Sequence, residues 1–582
     1  MKKVMQEPAK IHYSRWESGN DVNWYTDDPI LTRYAKRYLS QAVLDYVQDS
    51  FKKTGALAAG PMDRRAVHTD REGAPRLIRY NKKGEEINEV WYNEGYRQTV
   101  KDGYGTGVVA YRYDETLHEM IPFFVNSILI YLMCESEPGF TCPVGLSQST
   151  AFVLEKFGSE QQKAEYLTSL ASWDPEKLAE GATFLTEIQG GSDVGAAQTR
   201  AIKNGDHYLL SGEKWFASNC DAEIAIVLAR VNDLPGTKGL GLFLVPRTLR
   251  DGSRNSVTIR RLKDKLGVRA VASGELILDN AIGYLIGEEK NGFKYMAEAL
   301  NVSRLGTGLS GIAIARRAFL EAAIYTHHRD TFGQPICRYP MVRETLLNMI
   351  TEIEAGWALA VQTLQVFDEV HTYGRKNETN YPLLRIFLSL LKYRGSELGV
   401  SAAKDALELH GGNGYIEEYV IPRLIRDAIV NPVWEGTANI QSLEILKTLS
   451  KTGSSSVIQY LKEKLKRVHH PELEESKSFF TAEADRLEQS MDHVLDQDAD
   501  TQNALAKKLA DLMYDVSAGI FLLEEASYDL VEEQDGRRAL AVEQWIRLKF
   551  DRSADRGILS NVSISDELFD CLVCFGKKLV WS

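Results

Sequence analysis

The apolar residues of this chain change their period twice along its length, and that change limits what it can fold into. Over residues 117–133 and 148–172 apolar side chains recur every three or four positions, the spacing of a helix face. From residue 182 the period shortens. Ala182-Thr183-Phe184-Leu185-Thr186, residues 201–210, Ile224-Ala225-Ile226-Val227-Leu228-Ala229, residues 240–245 and Glu275-Leu276-Ile277-Leu278 read as short strands. Asn204-Gly205-Asp206 is a hairpin signal, and Gly195, Gly212, Gly236, Gly239 and Gly241 mark turns. Strands with no helices between them predict an antiparallel sheet or barrel. Helical spacing returns at Gly292, in stretches 293–331, 341–373, 381–409 and 440–450, which predicts a four-helix bundle.

The flanks complete the plan. Residues 1–117 mix aromatic and charged residues with a helical patch at 31–53 and a turn at Asn81-Lys82-Lys83-Gly84, and read as an extension that packs on the neighbouring domain. Lys451-Thr452-Gly453-Ser454-Ser455-Ser456 has the composition of a flexible linker, and the amphipathic run 505–531 beyond it predicts a last helical module. The expected fold class is therefore multidomain α+β. Its parts are an N-terminal extension (1–117), an α-helical domain (118–180), a β-barrel domain (181–290), a four-helix bundle (291–450) and an additional helical C-terminal domain (451–582). At 582 residues, 44% hydrophobic and 26% charged, the chain can bury several cores and is not of disordered composition.

Charge and cysteine content narrow the function. With 81 acidic against 69 basic residues the net charge is −12, which argues against a polyanion-binding surface. Six scattered cysteines are too few for a disulfide framework and point to a reducing compartment. No apolar run follows Met1-Lys2-Lys3, so no leader is expected. The longest apolar stretch, residues 121–133, falls short of the roughly 20 needed to span a bilayer. The expected location is the cytoplasm.

Three motifs reduce to bland readings. Gly306-Thr307-Gly308-Leu309-Ser310-Gly311 matches a dinucleotide fingerprint, but the residues before it are helical where the fingerprint needs a strand, so its small residues read as close helix packing. Cys571-Leu572-Val573-Cys574 stands without a second ligand pair and reads as a buried helix face. His327-His328 and His469-His470 are adjacent pairs that cannot share a helix face, and no metal site is expected.

Other segments carry chemistry. In Thr186-Glu187-Ile188-Gln189-Gly190-Gly191-Ser192-Asp193-Val194 paired glycines let backbone N–H groups approach an anion, while Thr186 and Ser192 add hydroxyls. Lys214-Trp215-Phe216-Ala217-Ser218-Asn219 offers flat aromatic surface and a hydroxyl in the same module. On the bundle lie Arg329-Asp330-Thr331-Phe332-Gly333, His410-Gly411-Gly412-Asn413-Gly414-Tyr415 and Trp434-Glu435-Gly436-Thr437-Ala438-Asn439-Ile440. Glu435 follows an apolar run and precedes a helix start. That leaves either a charge favoured by the helix dipole or a base raised by apolar walls.

In this order the five segments resemble the acyl-CoA dehydrogenase family, flavoproteins that oxidise acyl-CoA thioesters to 2-enoyl-CoA, over about residues 118–450. The resemblance implies FAD as cofactor. Thr186 to Val194 is similar to the family's T-E-P-G-x-G-S-D-V loop, with Ile188-Gln189 in place of Pro-Gly, and implies flavin contacts for Thr186, Gly191 and Ser192. Ser218 falls where the family has a Thr or Ser bonded to flavin N5, and Phe216 where an aromatic packs beside the ring. Arg329, Thr331 and Phe332 match the R-x-T-F-G segment that reaches the FAD diphosphate of a neighbouring subunit, which implies a homodimer or homotetramer. Gly411 and Gly412 match the turn near the adenosine diphosphate, where Glu408 replaces the Gln of many relatives. Thr437 and Asn439 complete the implied cofactor set.

Glu435 aligns with the family's catalytic Glu, written here W-E-G-T, while the base position of a minority of relatives is Ser303. The resemblance implies that Glu435 removes the α-proton while hydride leaves the β-carbon for flavin N5, and that Ser192, Arg304 and Gly436 border the acyl-CoA. An electron-transfer flavoprotein is the implied acceptor, and an oxidase that uses O₂ is an alternative. The long extension and the added C-terminal module look most like the branch containing the DNA-alkylation-response flavoprotein. That branch suggests DNA binding with little dehydrogenase activity. From Lys451 onward, however, there are 17 basic against 25 acidic residues, a net of −8, the wrong sign for phosphate binding.

Overall fold

The computed structural model describes residues 10–551 and 564–578; the opening residues 1–9, on which the expected lack of a leader rests, lie outside them. Packing divides the described residues into two units. One holds 23–26 and 38–306, and the other holds the described parts of 1–22, 27–37 and 307–582, including most of helix α1 (Pro29–Tyr38).

The helical patch at 31–53 is two helices, of which the second lies in the unit of 38–306. Ser40 ends the pattern by capping α2 (Gln41–Leu57), its side chain accepting from the Val43 N–H. There follow α3 (Asp63–Arg71), the hairpin β1 (Arg76–Tyr80) and β2 (Glu86–Trp91), and α4 (Glu94–Tyr104). Helix α5 (Phe123–Cys134) starts six residues after the expected 117, because Pro122 disfavours helical backbone in the residue before it. Helix α6 (Pro138–Phe157) starts ten residues before the expected 148, with Pro138 in its first turn, where a missing N–H costs nothing. Single turns α7 (Glu160–Gln162) and α8 (Thr168–Leu170) lead to the sheet.

The sheet contains β3 (Gly181–Phe184), β4 (Arg200–Asn204), β5 (His207–Ser218), β6 (Ile224–Arg230), β7 (Leu240–Pro246), β8 (Val257–Leu262) and β9 (Ser273–Leu285). Strand order β6-β4-β5-β9-β7 closes on itself through β6–β7 pairing, while β3 lies beside β6 and β8 beside β9. Closure removes the sheet edges of this ring. Most pairings are antiparallel as expected, but β3 runs parallel to β6, and β4 meets β6 in parallel at Arg200 and Arg230. The β4–β5 hairpin between β3 and β6 supplies the long connection that parallel neighbours require. Ala182, Phe184, Leu210, Val227, Phe243, Leu276 and Leu278 fill the interior.

Helix α9 (Gly292–His328) contains the division between the units, after Gly306. In the second unit it is followed by the hairpin β10 (Asp330–Thr331) and β11 (Gln334–Pro335), then α10 (Pro340–Phe367), α11 (Asn380–His410), the short α12 (Ile421–Ala428) and α13 (Ala438–Thr452). The glycine motif lies within α9, as its helical context requires. A Cβ on Gly308 would come within 2.8 Å of the Leu391 carbonyl, and one on Gly395 within 2.6 Å of the Gly308 carbonyl. Only glycines let the backbones of α9 and α11 meet this closely.

The expected linker is a two-residue turn. Helix α13 runs to Thr452 and α14 (Ser455–Lys466) begins three residues later, with Gly453 at φ +73 reversing the chain. Serine-rich composition here starts a helix. Helices α15 (Glu474–Leu495), α16 (Ala499–Glu532), α17 (Arg537–Phe550) and α18 (Asp566–Leu572) complete the unit. Arg33 and Arg37 of α1 pair with Asp529 and Glu525 of α16, and buried Arg538 meets the same two carboxylates. Cys571 and Cys574 are buried free thiols, and no His, Cys, Asp and Glu cluster among the described residues has a metal-binding arrangement. No helix among the described residues is long and apolar enough to cross a membrane.

Candidate active site

The loop after β3 is fixed by a buried ion pair. Lys214 on β5, 1% exposed in its side chain, donates to Glu187 Oε1 at 2.8 Å and to the Leu185 and Leu228 carbonyls. Glu187 also accepts from the backbone N–H groups of Gln198 (2.6 Å) and Thr199 (3.1 Å). Burial by itself raises a carboxyl, but Lys214 and these donors outweigh it and hold Glu187 at about 2. Burial lowers the Lys214 ammonium in turn. The loop is thereby drawn back along β5, where the Trp215 N–H donates to the Thr186 carbonyl at 2.9 Å.

That bond sets Thr186 beside Trp215, and Gly191 packs against Thr186. A Cβ on Gly191 would stand 3.0 Å from Thr186 Oγ1, so the glycine keeps this edge open. Ser192 is exposed, Phe216 is 62% exposed, and Ser218 shares a 3.0 Å hydrogen bond with Ser273 where β5 meets β9. Sequence reasoning misses Lys214 and Lys263. The second lies over the Trp215 ring at 3.4 Å from its centroid, a cation–π contact. Lys214 lies beyond the strand expected at 201–210, and nothing in the pattern signals that its partner is 27 residues away.

In the other unit, the Arg329 and Gly411 segments meet at one end of the bundle. Tyr325 near the end of α9 stacks on His410 at the end of α11, their ring centroids 4.2 Å apart, and Asn413 Nδ2 donates to the Tyr325 hydroxyl at 3.1 Å. Arg329 is exposed, and the Tyr339 hydroxyl bonds the Thr331 carbonyl at 2.7 Å. Phe332, at φ +49, forms the tip of the β10–β11 hairpin and is 98% exposed. Gly411 and Gly412 have open space where a Cβ would lie.

Glu435 stands elsewhere on the bundle, in the turn before α13. It is half-buried and adopts φ +59, a left-handed conformation rare for a residue with a side chain, and Gly436 follows at φ +98. Gln441 Nε2 donates to the Glu435 carbonyl at 2.8 Å, and Lys392 Nζ on α11 donates to the Gly436 and Pro432 carbonyls. Thr437 is the N-cap of α13 with its hydroxyl unused in the cap, and Asn439 is exposed in the first turn. Ser303 and Arg304 are half-buried on α9. Lys392 and Gln441 are also missed by sequence reading, which sees them only as a lysine and a glutamine within helical runs.

Comparison with known proteins agrees with this layout. Residues 16–175 match the adaptive response protein AidB N-terminal domain, 182–281 the acyl-CoA dehydrogenase middle domain, and 290–450 the acyl-CoA dehydrogenase C-terminal domain. AidB of Escherichia coli (strain K12) is 30% identical over 444 residues, which cover 74% of this chain and 79% of that protein. Acyl-CoA dehydrogenase family member 11 of Caenorhabditis elegans is 29% identical over 438 residues, covering 74% of this chain and 71% of the relative. The crystal structure of Caenorhabditis elegans ACDH-11 in complex with C11-CoA superposes with a TM-score of 0.83 at 25% identity, covering 95% of this chain and 93% of that one. A closed β module followed by a helical bundle, the models matched in order and the extent of these likenesses lead to one assignment: the chain belongs to the acyl-CoA dehydrogenase family.

Proposed function

We propose that this chain is an FAD-dependent acyl-CoA dehydrogenase that converts acyl-CoA thioesters to trans-2-enoyl-CoA, with Glu435 as the base for the α-proton. The observation that carries this reading is the Glu435 turn: a carboxylate on a left-handed backbone, with its flanking carbonyls bonded by buried side chains. Such conformations persist only where the surroundings over-determine them, and they concentrate at functional sites.

The β module suits a flat cofactor with polar edges. Thr186, Gly191 and Ser192 form an open, glycine-lined rim; Ser218 presents a hydroxyl, and Phe216 an aromatic face. These five residues hold the flavin ring in this reading. Arg329, Thr331, Phe332, Gly411, Gly412, Thr437 and Asn439 hold its diphosphate and adenosine parts, some of them across subunits of a homodimer or homotetramer. The chemistry FAD supplies when bound is acceptance of the hydride that leaves the substrate β-carbon.

Glu435 takes the α-proton as the α,β double bond forms, so proton and hydride both leave and the thioester stays intact. Its backbone N–H donates to the thioester oxygen and stabilises the developing enolate. Ser192, Arg304 and Gly436 border the acyl-CoA. Electrons then pass to an electron-transferring flavoprotein. ACDH-11, crystallised with C11-CoA, makes C11-CoA a natural member of a test panel.

Glu435→Gln is expected to retain FAD while anaerobic bleaching of the flavin by acyl-CoA slows about 10²- to 10⁴-fold, the usual range for a general base. Undiminished bleaching would remove Glu435 from the role.

A further inference from the structure

We infer that Lys392 and Gln441 are positioning residues for the reaction: together they hold the main chain of the Glu435 turn in the conformation that sets where its carboxylate stands. This rests on the reading of Glu435 as the base.

A left-handed backbone is disfavoured for a residue with a side chain, so something must oppose its relaxation. Here two side chains grip the peptide carbonyls around it. Lys392 is 0% exposed and its Nζ donates to the Gly436 carbonyl and, at 3.3 Å, to the Pro432 carbonyl, one on each side of Glu435. Gln441, also 0% exposed, donates from Nε2 to the Glu435 carbonyl at 2.8 Å and the Gly436 carbonyl at 3.3 Å. A third tie comes from Asn431, which accepts from Trp434 Nε1 at 3.2 Å and donates to Ser310 Oγ at 3.4 Å. The turn is thus fixed to α11 by Lys392, to α13 by Gln441 and to α9 by Ser310.

An ammonium is an expensive group to bury, and an apolar side chain of similar length would fill the space at lower desolvation cost. What the lysine adds is a pair of strong donors for carbonyls that the turn directs inward. Gly436 leaves little slack: a Cβ there would stand 2.7 Å from Gln441 Nε2. Both anchors bond the main chain of the turn.

The test uses the full-length holoenzyme and a panel of straight-chain acyl-CoAs including C11-CoA. Lys392→Met and Gln441→Leu are compared with the unmodified protein for FAD content, acyl-CoA dissociation constant from the flavin spectral shift, and anaerobic bleaching rate. Each variant is expected to keep FAD and to bind acyl-CoA almost unchanged, while bleaching slows about 10- to 100-fold, the penalty of a misplaced reacting group. Added to Glu435→Gln, each should slow the residual rate by less than it slows the unmodified protein, because part of its effect passes through that carboxylate.

Bleaching of Lys392→Met and Gln441→Leu at the unmodified rate, with Glu435→Gln slow, overturns the inference and leaves the base reading standing. So does an equal further loss on top of Glu435→Gln, which marks general destabilisation. Should Lys392→Met fail to yield holoenzyme, Gln441→Leu keeps the ammonium in place and decides by the same two readouts. Undiminished bleaching by Glu435→Gln removes the base reading and this inference with it.

Discussion

The loop after β3 and the turn before α13 are each held by a buried lysine that donates to backbone carbonyls, and Lys214 pairs with a carboxylate as well. Lys214 pairs with the carboxylate of Glu187, so an acidic side chain of the T-E-I-Q-G-G motif is used up in fixing its own loop. Lys392 donates to backbone carbonyls on both sides of Glu435. A glutamate in a family motif can therefore be a fastener as well as a reagent.

Stability and rate separate these roles. Glu187→Gln leaves Lys214 as a buried charge without its counter-ion and is expected to destabilise by about 3–5 kcal/mol, read from the denaturation midpoint. Lys392→Met leaves two carbonyls short of a donor, a smaller loss of about 1–3 kcal/mol. Equal losses would break the distinction between a charge-held loop and a backbone-held turn.

Acid sharpens it further. Glu187 is held at about 2, below the ordinary 4.5, so its contribution is present above pH 4.5 and is lost as pH falls toward 2. The stability gap between the unmodified protein and Glu187→Gln should narrow across that window. Glu180, at the other end of β3, responds to pH in the opposite sense. Burial and then the Glu223 carboxylate push it up to about 8. A raised carboxyl contributes stability below its ordinary value that is lost as pH rises through 8, so Glu180→Gln should gain on the unmodified protein in thermal melts above that pH.

Much of the architecture is legible from local pattern. The β4–β5 hairpin follows from Asn204-Gly205-Asp206, and the glycine motif reads as helix packing because helical spacing precedes it. Strand β8 is not legible: Val257-Thr258-Ile259-Arg260-Arg261-Leu262 breaks its alternation with paired arginines, which pair with Glu213 on β5 and Glu275 on β9. The linker reading fails at Ser454 and Ser455 for a related reason, since serines favour both loops and helix starts. Of the site, the sequence offers motif residues such as Thr186, Ser218 and Glu435. The lysines that hold two of those motifs come from distant strands and helices, and only the tertiary structure pairs them.

The glycine seam between α9 and α11 has a further consequence. Gly399 completes it, since a Cβ there would lie 2.8 Å from the Gly311 carbonyl. Helices packed through side chains can slip by a few tenths of an ångström as rotamers adjust, whereas two backbones in direct contact have no such play. Ser310 and Lys392 sit on these two helices, so the spacing between two of the ties on the Glu435 turn is set by a hard stop. The seam acts as a gauge block: it gives the turn a fixed dimension that changes elsewhere in the core would not readily alter.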